Sequence, residues 1–262
     1  MDFKLKDKVV VVTGGSQGIG KAVAEAYAAE GAKIAICART LSKLEATAKE
    51  FEAKGYEVYF ESVDVASEES VETFAKNVFE HFGRIDVWVN NAARFESKSI
   101  LEHTLDNWHD VMRTNLDSVF LGTRAAARYM KQTGGGAIIN TSSYASVIPA
   151  CYRCSYATSK YAVNGFTRCA AGELSPFGIR VNAVAVGSIN TEMQKAAKRT
   201  PEDLEKLAEG FALHRMGEPE EMGTVYLFLG SEMSSFVTGI TLEASGGKIL
   251  VQNCNQAWTE RR

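Results

Sequence analysis

Four consecutive valines, Val9 to Val12, run straight into Thr13-Gly14-Gly15-Ser16-Gln17-Gly18-Ile19-Gly20 and then into a helix-period stretch from Lys21 to Glu30. So short an unbroken apolar run bounded by turn residues reads as a strand buried on both faces. Such strands belong to parallel sheets covered by helices on either side. The glycines between strand and helix let backbone approach a pyrophosphate closely, and the helix that follows offers it unpaired N–H groups and a positive dipole end. The spacing is G-x-x-x-G-x-G, not the commoner G-x-G-x-x-G, and a glycine-rich turn alone is often only structural.

The rest of the chain repeats the alternation. Strand-like runs recur at 33–38, 57–62, 86–89, 136–141, 179–183 and 239–243, with helical stretches between them. This is the pattern of an α/β doubly wound sheet, and 262 residues without a Pro- or Ser-rich linker or internal repeat predict one domain. The net charge of −3 and scattered lysines give no basic stripe, so no nucleic-acid partner is expected. No segment is apolar for long enough to span a bilayer, and Met1 to Lys8 is too charged to begin a signal peptide; a cytoplasmic protein is expected. Five cysteines, an odd count, fit reduced thiols. Cys151-x-x-Cys154 has no second pair or nearby His to complete a metal site, so no metal is expected.

Tyr156 and Lys160, four apart in a predicted helix from Ser155 to Phe177, project from one face, with Ser143 thirteen positions upstream of the tyrosine. A free phenol has a pKa of about 10, and a nearby cation favours phenolate, bringing proton transfer within range. A lone Tyr-x-x-x-Lys pair is a weak signal. Together with the glycine turn, Asn90-Asn91-Ala92-Ala93, Asn115, Asp64-Val65, Arg180-Val181-Asn182-Ala183-Val184 and Gly217-Glu218-Pro219-Glu220-Glu221, it resembles the short-chain dehydrogenase/reductase family in its compact form, over essentially the whole chain.

The resemblance implies a single-domain Rossmann-type seven-stranded parallel sheet of order 3-2-1-4-5-6-7, with a helical substrate lid at about 188–215. It implies that Tyr156 exchanges a proton with a carbonyl or alcohol oxygen, that Ser143 hydrogen-bonds that oxygen, and that Lys160 holds the nicotinamide ribose and lowers the phenol pKa. Asn115 would hold a water linking Lys160 to solvent. Cofactor contacts are expected from Gly14, Ser16, Gln17, Gly18, Ile19, Gly20, Arg39, Thr40, Asp64, Val65, Asn91, Ala92, Ala93, Tyr156, Lys160, Gly187, Ile189 and Thr191.

Cofactor choice turns on Ala38-Arg39-Thr40, nineteen positions beyond Gly20. No carboxylate ends the second strand to accept from the ribose 2′-hydroxyl of NAD, whereas Arg39 suits the 2′-phosphate of NADP. NADP is favoured and NAD remains possible, because NADP-using relatives often carry a second basic residue where this chain has Gln17. Three departures from the family pattern lie at Ala93, at Val186-Gly187 in place of Pro-Gly, and at Ser245-Gly246-Gly247 in place of Asp-Gly-Gly, the last expected near a subunit interface.

Substrate contacts are expected from Ser143, Tyr156, Arg94, Tyr144, Arg153 and Met193. Either arginine can pair with a carboxylate, sulfonate or phosphate. The reading is therefore an NADP(H)-dependent oxidoreductase interconverting a carbonyl and a secondary alcohol on a small, polar or anionic molecule. Two alternatives stay open: a 3-oxoacyl-[acyl-carrier-protein] reductase, disfavoured by Phe177 where those enzymes place a basic docking residue, and a non-catalytic dinucleotide-binding regulatory protein. The family also implies a homotetramer, with the helices after strand four and around Tyr156 pairing across one axis and the last helix and strand across another. The tail from Ile249 to Arg262, with Trp258, either reaches a neighbouring site or trails on the surface.

Overall fold

The computed structural model describes residues 2–195 and 200–248, apart from the side chains of Met193 and Lys195. The tail beyond Lys248 and most of the segment linking the two lid helices therefore lie outside the described residues.

Seven parallel strands form one sheet in the order β3-β2-β1-β4-β5-β6-β7. They are β1 (Val9–Thr13), β2 (Lys33–Ala38), β3 (Val58–Ser62), β4 (Val87–Asn90), β5 (Gly136–Ser143), β6 (Ile179–Val186) and β7 (Thr241–Ala244). Between them lie α1 (Gly18–Ala29), α2 (Leu41–Ala53), α3 (Glu68–Phe82), α4 (Leu105–Met112), α5 (Ser118–Met130), α6 (Cys154–Leu174), α7 (Glu192–Lys195), α8 (Pro201–Glu209) and α9 (Pro219–Gly230). The order reverses between β1 and β4, which pairs Val11 with Trp88, and a crevice opens at that switch point beyond the strand ends.

The valine run serves both faces at once, as a period-two strand in a covered sheet must. Val10 and Val12 join Ile34, Ile36, Tyr27, Leu44 and Tyr226 on one side. Val9 and Val11 join Ala35, Trp88, Phe74, Leu121 and Met130 on the other. The polar centre of the sheet is satisfied internally: Trp88 Nε1 donates to Asn90 Oδ1 at 2.8 Å, Asn90 Nδ2 to Asn140 Oδ1 at 2.9 Å, and Asn140 Nδ2 to Thr167 Oγ1 at 2.9 Å.

The predicted Ser155–Phe177 helix is α6 closed by a 3₁₀ turn, Ser175–Phe177, which ends at Gly178 with φ +69°. A π-helical stretch, Arg113–Asp117, separates α4 from α5 and carries Asn115. Beyond β6, α7 and α8 occupy the region expected to be a lid. Phe211, 1% exposed, anchors its far end, with its ring 6.4 Å from that of Tyr144.

Candidate active site

The carboxyl ends of the strands converge on one cleft of about 380 Å³. Its walls include every cofactor contact expected from the sequence: the turn from Gly14 through Ser16 and Gln17 to Gly20, Arg39 and Thr40, Asp64 and Val65, Asn91 to Ala93, Tyr156 and Lys160, and Gly187, Ile189 and Thr191.

The glycine turn is wound too tightly for side chains. Gly14 and Gly18 have φ of +68° and +55°, and a Cβ on Gly20 would fall 2.3 Å from the Gly14 carbonyl oxygen. Gly20 stands in the first turn of α1, so bare backbone faces the cleft there, as a pyrophosphate at a helix N-terminus requires. Thr13 braces the turn against the asparagine segment: its hydroxyl accepts from Asn91 N at 2.9 Å and Ala92 N at 3.0 Å, while Asn91 Nδ2 donates to Thr13 O at 2.9 Å. The residues present fit a dinucleotide.

The departures at Ala93 and Val186 leave this geometry standing. Gly187 N donates to Ala244 O at 2.9 Å, and a Cβ on Gly187 would meet Ser245 Cα at 2.8 Å. Ser245 is buried beneath that turn, so its packing contact is with the cleft wall.

At the ribose end, Arg39 and Thr40 are exposed on the rim. Sequence reasoning missed a neighbour. Lys43, on the first turns of α2, also lines the cleft and donates from Nζ to Gln17 Oε1 at 2.8 Å. A cation thus reaches the place beside Gln17 where the sequence shows none. The signal was present as Arg39-Thr40-Leu41-Ser42-Lys43, since residues four apart at a helix start share a face.

At the other end stand Ser143, Tyr156 and Lys160. Ser143 ends β5 and accepts from Ala145 N at 3.1 Å, and its hydroxyl acts downward on the Tyr156 phenol pKa. Lys160 is 2% exposed and donates from Nζ to Thr141 O at 2.7 Å; burial pushes its pKa down to about 8. Burial raises the phenol above its ordinary value, the Ser143 hydrogen bond and the Arg153 charge act downward, and the Lys160 ammonium stands 5.9 Å from the ring centre. The ammonium donates to a backbone carbonyl, and the Arg153 charge acts downward on the phenol pKa.

Asn115 is fully buried and does not line the cleft; its neighbour Thr114 does. Its Oδ1 accepts from Arg94 N at 2.7 Å, and its Nδ2 donates to Arg94 O at 2.9 Å and Ser159 Oγ at 3.1 Å. This amide ties the segment after Asn91 to α6, a positioning role. Of the expected substrate contacts, Arg94, Tyr144 and Arg153 are not among the residues that line the cleft; Arg94 turns towards Asp110, 3.8 Å away, whereas Arg153 lies over Phe95 and beside Tyr144. Met193 belongs to α7, but its side chain is outside the described residues. Among the described residues no group of His, Cys, Asp and Glu could hold a metal ion, and Cys37, Cys151, Cys154 and Cys169 are free thiols.

Residues 14–248 match the family model described as enoyl-(acyl carrier protein) reductase. The chain is 36% identical to the 3-oxoacyl-[acyl-carrier-protein] reductase FabG of Aquifex aeolicus, across 94% of this chain and 99% of that protein. It is 38% identical to a 3alpha-hydroxysteroid dehydrogenase of Mediterraneibacter gnavus, across 94% of this chain and 98% of that one. A crystal structure titled as a putative gluconate dehydrogenase from Agrobacterium tumefaciens superposes with a TM-score of 0.93 at 31% identity, covering 96% of this chain and 100% of that one. Sheet order, cleft and relatives agree, and the chain belongs to the short-chain dehydrogenase/reductase family of NAD(P)-binding oxidoreductases.

Proposed function

We propose that the protein is an NADP(H)-dependent oxidoreductase that interconverts a ketone or aldehyde and an alcohol on a small polar substrate. The observation that carries this reading is the continuity of one cleft from the Arg39–Lys43 rim, over the glycine turn, to Tyr156. The rim supplies two cations for a 2′-phosphate, and β2 ends without a carboxylate to repel it.

A bound nicotinamide dinucleotide would supply the two-electron donor or acceptor. The turn from Gly14 to Gly20 would hold the pyrophosphate, Asp64 and Val65 would flank the adenine side, and Asn91 to Ala93 with Gly187, Ile189 and Thr191 would line the nicotinamide side. Tyr156 gives its phenolic proton to the carbonyl oxygen in reduction and recovers one in oxidation, and Ser143 holds that oxygen. Burial that keeps the phenol protonated suits the donor role. Lys160, its pKa lowered to about 8 by burial, would hold the nicotinamide ribose, and Asn115 would hold a water connecting Lys160 to solvent. The α7–α8 segment acts as the lid, hinged at Phe211.

The protein is read as a cytoplasmic homotetramer; among the described residues no helix is long and apolar enough to cross a membrane. A second reading, reduction of a 3-oxoacyl group on acyl carrier protein, is favoured by the Aquifex relative. Against it stands Phe177, 49% exposed where a basic docking residue is expected. A non-catalytic dinucleotide-binding role is the third. Reduced-nicotinamide absorbance, followed with a panel of ketones, 3-oxoacyl thioesters and alcohols and with both cofactors, tests all three. Turnover of small ketones with NADPH supports the first, thioester-only turnover the second, and cofactor binding without turnover the last.

A further inference from the structure

Of the two arginines near the substrate end, only Arg153 is held in a ready position. It makes no ion pair among the described residues. Its guanidinium lies 5.1 Å from the Phe95 ring centre, and Nη1 donates to the Tyr144 hydroxyl at 3.3 Å. Both partners belong to the substrate side. The Phe95 ring meets the Tyr156 ring edge-on at 5.2 Å, and Tyr144 directly follows Ser143. A guanidinium laid on an aromatic face keeps its plane fixed and leaves an edge of N–H donors for a planar acceptor.

The backbone beneath it is committed as well. Tyr152 adopts φ +63°, a left-handed conformation uncommon for a residue with a side chain, and its carbonyl accepts from Lys98 N at 2.7 Å. That bond clamps the loop bearing Phe95 to the loop bearing Arg153. Strain retained where neighbours over-determine it is the mark of a pre-set contact. Nothing in the proton transfer at Tyr156 uses the free edge of this guanidinium.

We propose that Arg153 is the recognition point for a carboxylate on the substrate, so that the protein acts on oxo acids and the corresponding hydroxy acids. The proposal rests on the reading of Tyr156 as the proton donor, since it places the carboxylate one aromatic ring away from the reacting oxygen. A single monocation flanked by neutral aromatic partners matches a carboxylate; a phosphate dianion carries the same kind of oxygens but more charge than one guanidinium offsets.

The test compares kcat/KM with NADPH for acetoacetate against methyl acetoacetate, and for dihydroxyacetone phosphate against dihydroxyacetone, in wild type, Arg153→Gln and Arg153→Lys. The acid-to-ester ratio falls at least tenfold in Arg153→Gln, chiefly through KM, and part of it returns in Arg153→Lys. An acid-to-ester ratio equal in wild type and Arg153→Gln overturns the proposal, and a larger fall for the phosphate pair overturns the choice of carboxylate. Calorimetric titration of oxamate into the enzyme–NADP⁺ complex separates this from the wider reading. Oxamate binding that Arg153→Gln weakens tenfold supports the clamp even if no carbonyl is reduced, and equal or absent binding in both proteins overturns it.

Discussion

Lys160 donates its ammonium to the Thr141 carbonyl at 2.7 Å from a position 2% exposed. Among the described residues no carboxylate meets it, and burial lowers its pKa from 10.5 to about 8. A chain that binds this proton more tightly when unfolded gains stability as pH rises through the window between those two values, and carries the full cost of the buried charge below it.

Lys160→Met therefore raises stability at pH 7 by on the order of 3 kcal/mol while removing turnover, because one pKa unit corresponds to about 1.4 kcal/mol. Thermal melts at pH 7 and pH 10 check it. The gain shrinks at the higher pH, where the folded-state lysine is already neutral and the unfolded one is close to its own pKa of 10.5. A variant that melts below wild type at pH 7 contradicts the account.

Tyr156→Phe lowers kcat by about 10²–10⁴-fold, the usual contribution of a positioned acid or base. NADPH affinity, read by fluorescence titration, changes little, since the ring and its edge-on contact with Phe95 remain. Near-normal turnover removes the phenol from the mechanism.

How much of this was legible in the sequence depends on how far apart the cooperating residues lie. Val9 to Val12 announced a strand covered on both faces because burial on both sides leaves no polar alternation, and Gly20 announced a close approach that the Gly14 carbonyl confirms. Lys43 on α2 and Gln17 just before α1 meet only because both helices start at the same end of the sheet. Arg94 and Arg153 are indistinguishable as sequence, and Asp110, brought near one of them by α4, separates them. The direction of the Tyr156 shift was also out of reach: spacing brought an ammonium to the right face, but burial and the Thr141 carbonyl decide what it does.

Lys43→Ala weakens binding of 2′,5′-ADP by about tenfold, the scale of one charge-assisted contact of about 1.5 kcal/mol. Arg39→Asp goes further and reverses the NADPH-to-NADH preference in kcat/KM, because the carboxylate repels the phosphate and accepts from a ribose hydroxyl. Equal affinity of wild type and Lys43→Ala for 2′,5′-ADP assigns Lys43 to the Gln17 contact alone.

The buried amide chain gives a stability prediction independent of chemistry. Asn140→Ala takes the acceptor from Asn90 Nδ2 and the donor from Thr167, inside a sheet where water does not replace them. The loss is about 2–3 kcal/mol, seen as a lower urea midpoint with an unchanged slope.

The last prediction concerns assembly. Much of the apolar sequence that pointed to interfaces is spent internally: Val119, Leu121 and Ala125 to Ala127 on α5, and Tyr226, Leu227 and Leu229 on α9, are buried in the protomer's own core. What remains outside is more specific. Phe120 is 45% exposed, packs its ring edge-on against Phe166 of α6 at 6.3 Å, and has Tyr161, also exposed, on the same helix. On the far edge Phe236 is wholly exposed, beside Ile240 and the short edge strand β7, whose outer side no strand pairs among the described residues. Two apolar sites on different faces suit two isologous contacts, and two such axes close a tetramer. Light scattering at micromolar concentration gives a tetramer for wild type and a dimer for each of Phe120→Asp and Phe236→Asp. The double variant runs as a folded monomer with the wild-type far-ultraviolet spectrum. A wild-type monomer refutes the assembly, and a tetramer that survives Phe236→Asp moves the second contact away from the β7 edge.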